Sequence, residues 1–370
     1  MLTRFVLDPE GVGMEGCDPA LQTNLTRGLL NVWLKCGILY VGTGDYKNSQ
    51  LCRELNLLPP KLRAIWLTAI VFAQRHCLLQ TGPPTWSGCF PKGSPECFAA
   101  LVPIIEMAGI SKGMADRLGF ASDEPARIDT ATNLEVCRMD CLTAASVFQR
   151  AEHIRETKKY KRGDSVDGIW NDLFKGFVAH FSQMAAIDRF CVQRLADPYF
   201  AHGESGVEQF LRRVDDCQST APGSVVQIIS SLARGQSRAE VVARLTEFSA
   251  SLPNRRIASL VLNLVHEKEF KKIVHYRCVR FQSHHTLMLD HGIEILEGRT
   301  VKRTHPCSFT CFDETFRRDE NEILENSERV KVYERLTAPK PTRPPTGARA
   351  SLGPGVLPPR PGLPATAMTR

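Results

Sequence analysis

The chain has 370 residues, of which 43% are hydrophobic and 24% charged, enough for two ordinary cores and too apolar for a disordered protein. Its net charge of +7 favours an anionic partner, but part of that excess falls after Thr337, where Lys340, Arg343, Arg349, Arg360 and Arg370 stand without an acid. Thirteen scattered cysteines without a secretory signal argue against a disulfide framework, and the apolar run Ile65 to Ala73 is too short to span a bilayer. A cytoplasmic setting with no transmembrane segment is therefore expected.

In chain order, Arg4 to Leu7 reads as a short strand running into Asp8-Pro9. Asp18 then caps a helix with Pro19 in its first turn, and Leu21, Leu25, Leu29, Val32 and Trp33 are spaced to bury one face. Gly37 ends it before a second strand, Ile38 to Val41. A further helix is predicted from Leu62 to His76, a Gly/Pro-rich loop over Gln80 to Ser94, and a buried strand from Ala99 to Met107. This β-α-β-α-β pattern predicts a small α/β domain over 1–150.

Residues 151–164, including Lys158-Lys159-Tyr160-Lys161-Arg162, read as a charged linker or helix end, although basic residues around an aromatic would also suit a nucleic-acid backbone. Ser165 caps the next helix, in which Trp170, Phe174, Phe177 and Phe181 form a core stripe. A strand from Ile187 to Leu195 then leaves through Asp197-Pro198-Tyr199. Helix faces at Val207, Phe210, Leu211, Val214 and at Val241, Leu245, Phe248, Leu252 alternate with strands Ser224 to Ser230 and Ile257 to Val265. Strands are also expected over Ile273 to Phe281, His285 to Leu289 and Ile293 to Leu296, the last two forming a hairpin about Asp290-His291-Gly292. A second α/β domain with a terminal antiparallel ribbon is thus predicted over 165–337. Residues 338–370, rich in Pro, Gly, Ala and Thr, are expected to be a disordered tail, with polyproline II capture by a partner as the alternative.

His275 and Arg277 stand two apart, so on a strand they would share a face and could clamp a phosphate: arginine offers a planar donor fork, and histidine a donor or a nucleophile. The alternative is that one of them satisfies a buried carboxylate. Asp197 and Tyr199, at a neighbouring strand end, complete the candidate binding set.

The strand leaving through Asp197-Pro198-Tyr199, the two β-α steps, His275-Tyr276-Arg277 and the glycine-marked Asp290 to Arg299 segment resemble degenerate phospholipase D-like domains. One form they resemble is the C-terminal domain of MIT-domain-containing proteins and its bacterial relatives, over roughly residues 165–315. The resemblance implies binding of phospholipid headgroups or nucleic-acid phosphates, and in bacteria a role in defence or mobile-element systems. Tyr276 replaces the acidic middle residue of the family's His-Asp-Arg type signature. Active phospholipase D enzymes normally carry two His-x-Lys-x4-Asp motifs; here Arg277 and Gln282 occupy the Lys and Asp positions, and no second copy exists. Phosphate binding without hydrolysis and without a cofactor is therefore expected.

Three other readings are open to weighing, of which the last two stay as alternatives. His284, His285, His291, His305, Cys307 and Cys311 cluster in sequence but lack a familiar zinc spacing, so no metal site is expected there. Asp8, with Glu54, Asp116 and Asp129, could gather Mg2+ in a PIN-like nuclease, or Asp8-Pro9 could be an ordinary turn. Finally, the chain could be a non-catalytic assembly subunit held by a protein partner.

Overall fold

The computed structural model describes residues 2–14, 16–42, 44–82, 104–155, 158–196, 204–217, 223–282, 285–311 and 314–335. The protein is α/β, built on two sheets. The first is made by β1 Thr3–Leu7, α1 Pro19–Cys36, β2 Gly37–Val41, α2 Gln50–Leu57, α3 Pro60–Arg75, β3 Leu79–Thr81, β4 Met107–Ile110, α4 Lys112–Arg117, β5 Ala126–Asp129 and β6 Leu134–Arg138. Its strand order is β3-β2-β1-β4-β6-β5, parallel except for β5 at one edge. The order reverses between β1 and β4, the position at which open α/β sheets leave a crevice.

α1 starts as the sequence predicts: the Asp18 carboxylate accepts from the Ala20 and Leu21 amides at 2.9 and 3.1 Å, and Pro19 occupies the first turn. Its buried face runs through Thr23, Thr26, Leu29, Leu30 and Trp33, so Leu21 falls outside the stripe and is exposed. The Trp33 indole packs on Phe5 and Trp66 and donates to the Leu78 carbonyl at 3.1 Å, fixing α1 and α3 to the sheet. The predicted strand Ala99 to Met107 is displaced to Met107–Ile110 by its register with β1, where Phe5 opposes Met107; residues 99–103 lie outside the described residues. Within the predicted loop Gln80 to Ser94, Gln80 and Thr81 instead extend β3 beside β2, and 83–94 are outside the described residues.

α5 Ser146–Arg155 joins the sheets, its first turn held by the Glu135 carboxylate, which accepts from the amides of Ser146 and Val147. The second sheet comprises β7 Lys158–Tyr160, α6 Val166–Ile169, α7 Lys175–His180, β8 Gln183–Ile187, α8 Gly206–Asp216, β9 Ser224–Ser230, α9 Arg238–Ser251, β10 Ile257–Val265, α10 Glu267–Ile273, β11 Cys278–Phe281, β12 His285–Leu289, β13 His305–Cys311, α11 Glu314–Glu325 and β14 Ser327–Glu334. The order is β14-β10-β9-β8-β11-β12-β13-β7. β8, β9 and β10 are parallel, and every other pairing is antiparallel.

Lys158–Tyr160 is therefore neither linker nor helix end but an edge strand, with Tyr160 opposite His305 and buried. The aromatic stripe Trp170, Phe174, Phe177 and Phe181 is buried as predicted, with a π-helical turn over Trp170–Phe174 between α6 and α7. Residues 3–138 and 158–334 supply one sheet each, yet Met1–Arg335 is a single compact unit, because one hydrophobic core runs from Leu2 through to Val332. The unit Leu336–Arg370, which includes the predicted disordered tail, lies outside the described residues. No helix among the described residues is long and apolar enough to cross a membrane.

One tie between the halves is titratable. His180 at the end of α7 donates Nε2–H to the Cys77 carbonyl, 2.7 Å away, and burial holds its pKa near 4, below the ordinary 6.5. Burial also lowers His305 to about 4. Between these values the unfolded chain binds protons that the folded one refuses, so stability must fall as pH drops from about 6.5 towards 4. Urea midpoints measured across that range should decline, and His180→Gln, which retains a donor and cannot charge, should decline less steeply.

Candidate functional site

β8 stops at Ile187 because the next side chain turns the chain back. Asp188 is 2% exposed; its Oδ1 accepts from the Phe190 amide at 2.9 Å and its Oδ2 from the Ile293 amide at 3.0 Å. The Asp188 amide donates to Ile229 of β9 at 3.1 Å. The predicted strand Ile187 to Leu195 is thus a turn followed by a short 3-10 helix, Gln193–Ala196. Desolvation raises the Asp188 pKa, opposed by the Phe190 amide, by Arg277 and by the Ile293 amide.

Gly292, at φ +74°, brings the second donor to Asp188. A Cβ there would lie 1.9 Å from Asp188 Oδ2, so both the backbone conformation and the space demand glycine. The residues that follow, Gly292–Leu296, form a 3-10 turn rather than a strand, since Ile293 is drawn onto Asp188 instead of pairing with β12. The expected hairpin is replaced by β12 pairing with β13, reached after this turn.

Val274 to Arg277 lead into β11 as extended coil, because α10 continues to Ile273; the same-face argument for a strand does not apply. His275 and Arg277 nevertheless line one cavity of about 450 Å³, together with Arg189, Phe190, Met288 and Asp290. The Arg277 guanidinium lies 4.6 Å from the centre of the Phe190 ring and that of Arg189 lies 4.1 Å from it. Arg277 Nε is 3.7 Å from Asp188 Oδ1, so this arginine both faces a buried carboxylate and reaches the cavity.

The backbones of both arginines are pinned. The Arg189 carbonyl accepts from the hydroxyls of Ser230 and Ser231 at 3.1 and 3.0 Å and from the Ser231 amide at 3.1 Å. The Arg277 carbonyl accepts from the Leu289 amide at 2.8 Å. Their guanidinium N–H groups make no hydrogen bond among the described residues, and Arg189 Nε is buried without one. The site therefore presents cationic donors on fixed supports beside an aromatic ring, a chemistry suited to a phosphate or carboxylate. His275 is exposed at the mouth. Asp197 and Tyr199, the other two candidate residues, lie outside the described residues.

Asp188, Arg189 and Phe190 were missed in sequence. Their one local signal is an acidic residue directly after the apolar run Met184 to Ile187, which marks a strand end as well as Asp197-Pro198 does.

The other candidates disperse. Asp8 is buried, its two oxygens accepting from the amides of Glu10 and Ser111 at 3.2 and 3.1 Å, so it fastens the ends of β1 and β4 in a turn. Glu54 lines a cavity of about 350 Å³ at that rim, whereas Asp116 and Asp129 do not, and Asp129 caps a turn at Thr132. His285 is enclosed by Phe177 and Phe181. His291 lies on His305, ring centres 4.8 Å apart, with its Nε2 3.1 Å from Asp290 Oδ2. His284 is outside the described residues. Among the described residues no three His, Cys, Asp or Glu side chains converge as metal ligands. No family model matches the chain, and no curated protein matches it.

Asp188→Asn replaces one acceptor oxygen by an NH2 group facing an amide donor. It should destabilise the protein by about 1–3 kcal/mol, the cost of a buried donor left unpaired, measurable by urea denaturation. Gly292→Ala should cost at least as much.

Proposed function

We propose that this chain binds a phosphate-bearing ligand at the rim of the second sheet, without hydrolysing it. The observation that carries the reading is the pair of arginines whose guanidinium groups lie on the Phe190 ring and which line the same cavity as His275. A cavity of this size holds a mononucleotide-sized group, and the half-buried Phe190, Tyr276, Met288 and Pro306 offer it apolar contact. The phospholipase D-like resemblance agrees with this chemistry, and nucleic acid or a phospholipid headgroup would satisfy it. A place in a bacterial defence or mobile-element system belongs to the same proposal.

Binding is preferred over hydrolysis on geometry. In-line attack on phosphorus needs a nucleophile and an opposing acid, each positioned by a partner. His275 is exposed with no hydrogen bond to its ring among the described residues, and His285, the next described histidine, is enclosed among aromatic rings away from the cavity lining.

Fluorescence anisotropy with labelled oligonucleotides and sedimentation with anionic vesicles test this reading. Arg277→Ala should weaken binding about 10- to 100-fold, matching about 1.5–3 kcal/mol for a charge-assisted hydrogen bond, and Arg277→Lys should recover it only in part. His275→Ala should weaken it less. Thermal melts monitor folding, since Arg277 also faces Asp188. Unchanged affinity in both alanine variants, with the fold intact, would remove the site.

A further inference from the structure

A second cavity, of about 770 Å³, opens where β9 and β10 end, and like the first it is lined by basic side chains. Arg234, His266 and Lys268 line it, and all three are exposed. Its two acids are already paired: Glu267 with Lys271 at 2.7 Å, and Glu328 with Arg238. Arg234 and Lys268 have no carboxylate partner among the described residues, so the cavity offers two basic side chains while its acids are engaged elsewhere.

His266 adds a donor of defined direction. Its Nδ1 accepts from the Lys268 amide at 3.3 Å, which places the proton of the neutral ring on Nε2. The Nε2–H is therefore left as a donor.

Shared backbone connects the two cavities. Arg189 of the first has its carbonyl bonded by Ser230 and Ser231, the residues through which β9 exits towards Leu232 and Arg234 of the second. α10 links them as well: His266 to Lys268 line one cavity, and Phe270, Val274 and His275 the other. At 1.5 Å per residue its seven residues span about 10 Å. That is the axial spacing of about three phosphates in a stacked strand, at ~3.4 Å per nucleotide.

We propose that these cavities are subsites of one continuous track for a single-stranded nucleic acid, with one nucleotide held at Phe190, Arg189 and Arg277 and phosphates a few residues along the strand held by Arg234, His266 and Lys268. The proposal rests on the phosphate reading of the first pocket and extends it. A single strand is favoured because its unpaired base can enter the pocket beside Phe190, whereas a duplex keeps its bases stacked and paired. A lone headgroup would engage only one of the two basic sites.

The test compares AMP, single-stranded oligonucleotides of one to twelve nucleotides, the matching duplex, and phosphoinositide vesicles, using wild-type protein and the double variant Arg234→Ala/Lys268→Ala. Both positions are exposed, so folding should persist. Affinity should climb over the first few nucleotides and then level off. The double variant should weaken the longer strands at least tenfold, leave AMP unchanged, and reduce the salt dependence of log K by about 1.4, at ~0.7 per lost single-strand phosphate contact. If AMP binds through Arg277 but affinity neither grows with length nor responds to the double variant, the second subsite is wrong and the first stands. Equal affinity for the duplex, or preference for vesicles, overturns the single-strand assignment. Failure of every ligand to bind overturns the first pocket as well.

Discussion

The carboxylate of Asp188 is the tie on which the second sheet's rim depends. It is buried, and it is kept in place by amides from two distant pieces of chain, one just past β8 and one just past Gly292. Removing water from a carboxylate is expensive unless hydrogen bonds and a cation replace it. Those replacements define the neighbourhood: the Phe190 turn lifts the ring to the rim, Arg277 leans in from the start of β11, and the 3-10 segment Gly292–Leu296 is drawn against the head of α8. There Gly206 is so tight that a Cβ would meet the Ile293 carbonyl at 2.5 Å.

A second layer of charge holds that layer from outside. Arg194 bridges Glu294 and Glu297 at 2.9 and 2.6 Å, and Arg303 joins Glu294 at 2.8 Å. Glu208, the fourth residue of the Ser205 capping box, accepts from Arg244 at 2.9 Å while receiving the Ser205 amide at 2.8 Å. Several basic residues beside this rim are engaged in such pairs. Arg189 and Arg277 stand out by sharing one aromatic ring and one cavity, a feature that net charge does not reveal.

Much of the fold could be read directly. Ser224–Ser230, Ile257–Val265 and His285–Leu289 form at the predicted bounds because β-branched and apolar residues fill them and breakers flank them. The Asp18 cap and the Trp170 to Phe181 stripe were legible for the same local reasons. What escaped was set by distant partners. Phe190, Cys191, Val192 and Leu195 look like continued strand, but the Phe190 amide and the distant Ile293 amide on Asp188, with Ser230 and Ser231 on the Arg189 carbonyl, hold them in a turn. Ser327–Glu334 alternates charged and apolar residues over a half-exposed edge, which leaves little hydrophobic signal, and Lys158–Tyr160 is a strand solely through its pairing with β13. His275 and Arg277, paired in the sequence reading, do line one cavity, although on coil and not on a strand; Arg189 and Phe190, which line it with them, gave no comparable signal.

The placement of β7 and β14 at opposite edges carries a consequence for how the protein is made. Tyr160 waits for His305 before its strand has a neighbour, and Ile257–Val265 stays an open edge until Ser327–Glu334 has been synthesised. The sheet 3–138, by contrast, pairs within itself. On the ribosome the first half can close early while the second exposes unpaired strand edges for a long stretch of synthesis, a high-contact-order arrangement that folds slowly. Chaperone dependence and aggregation during expression should therefore concentrate in residues 158–334 rather than in the half that emerges first.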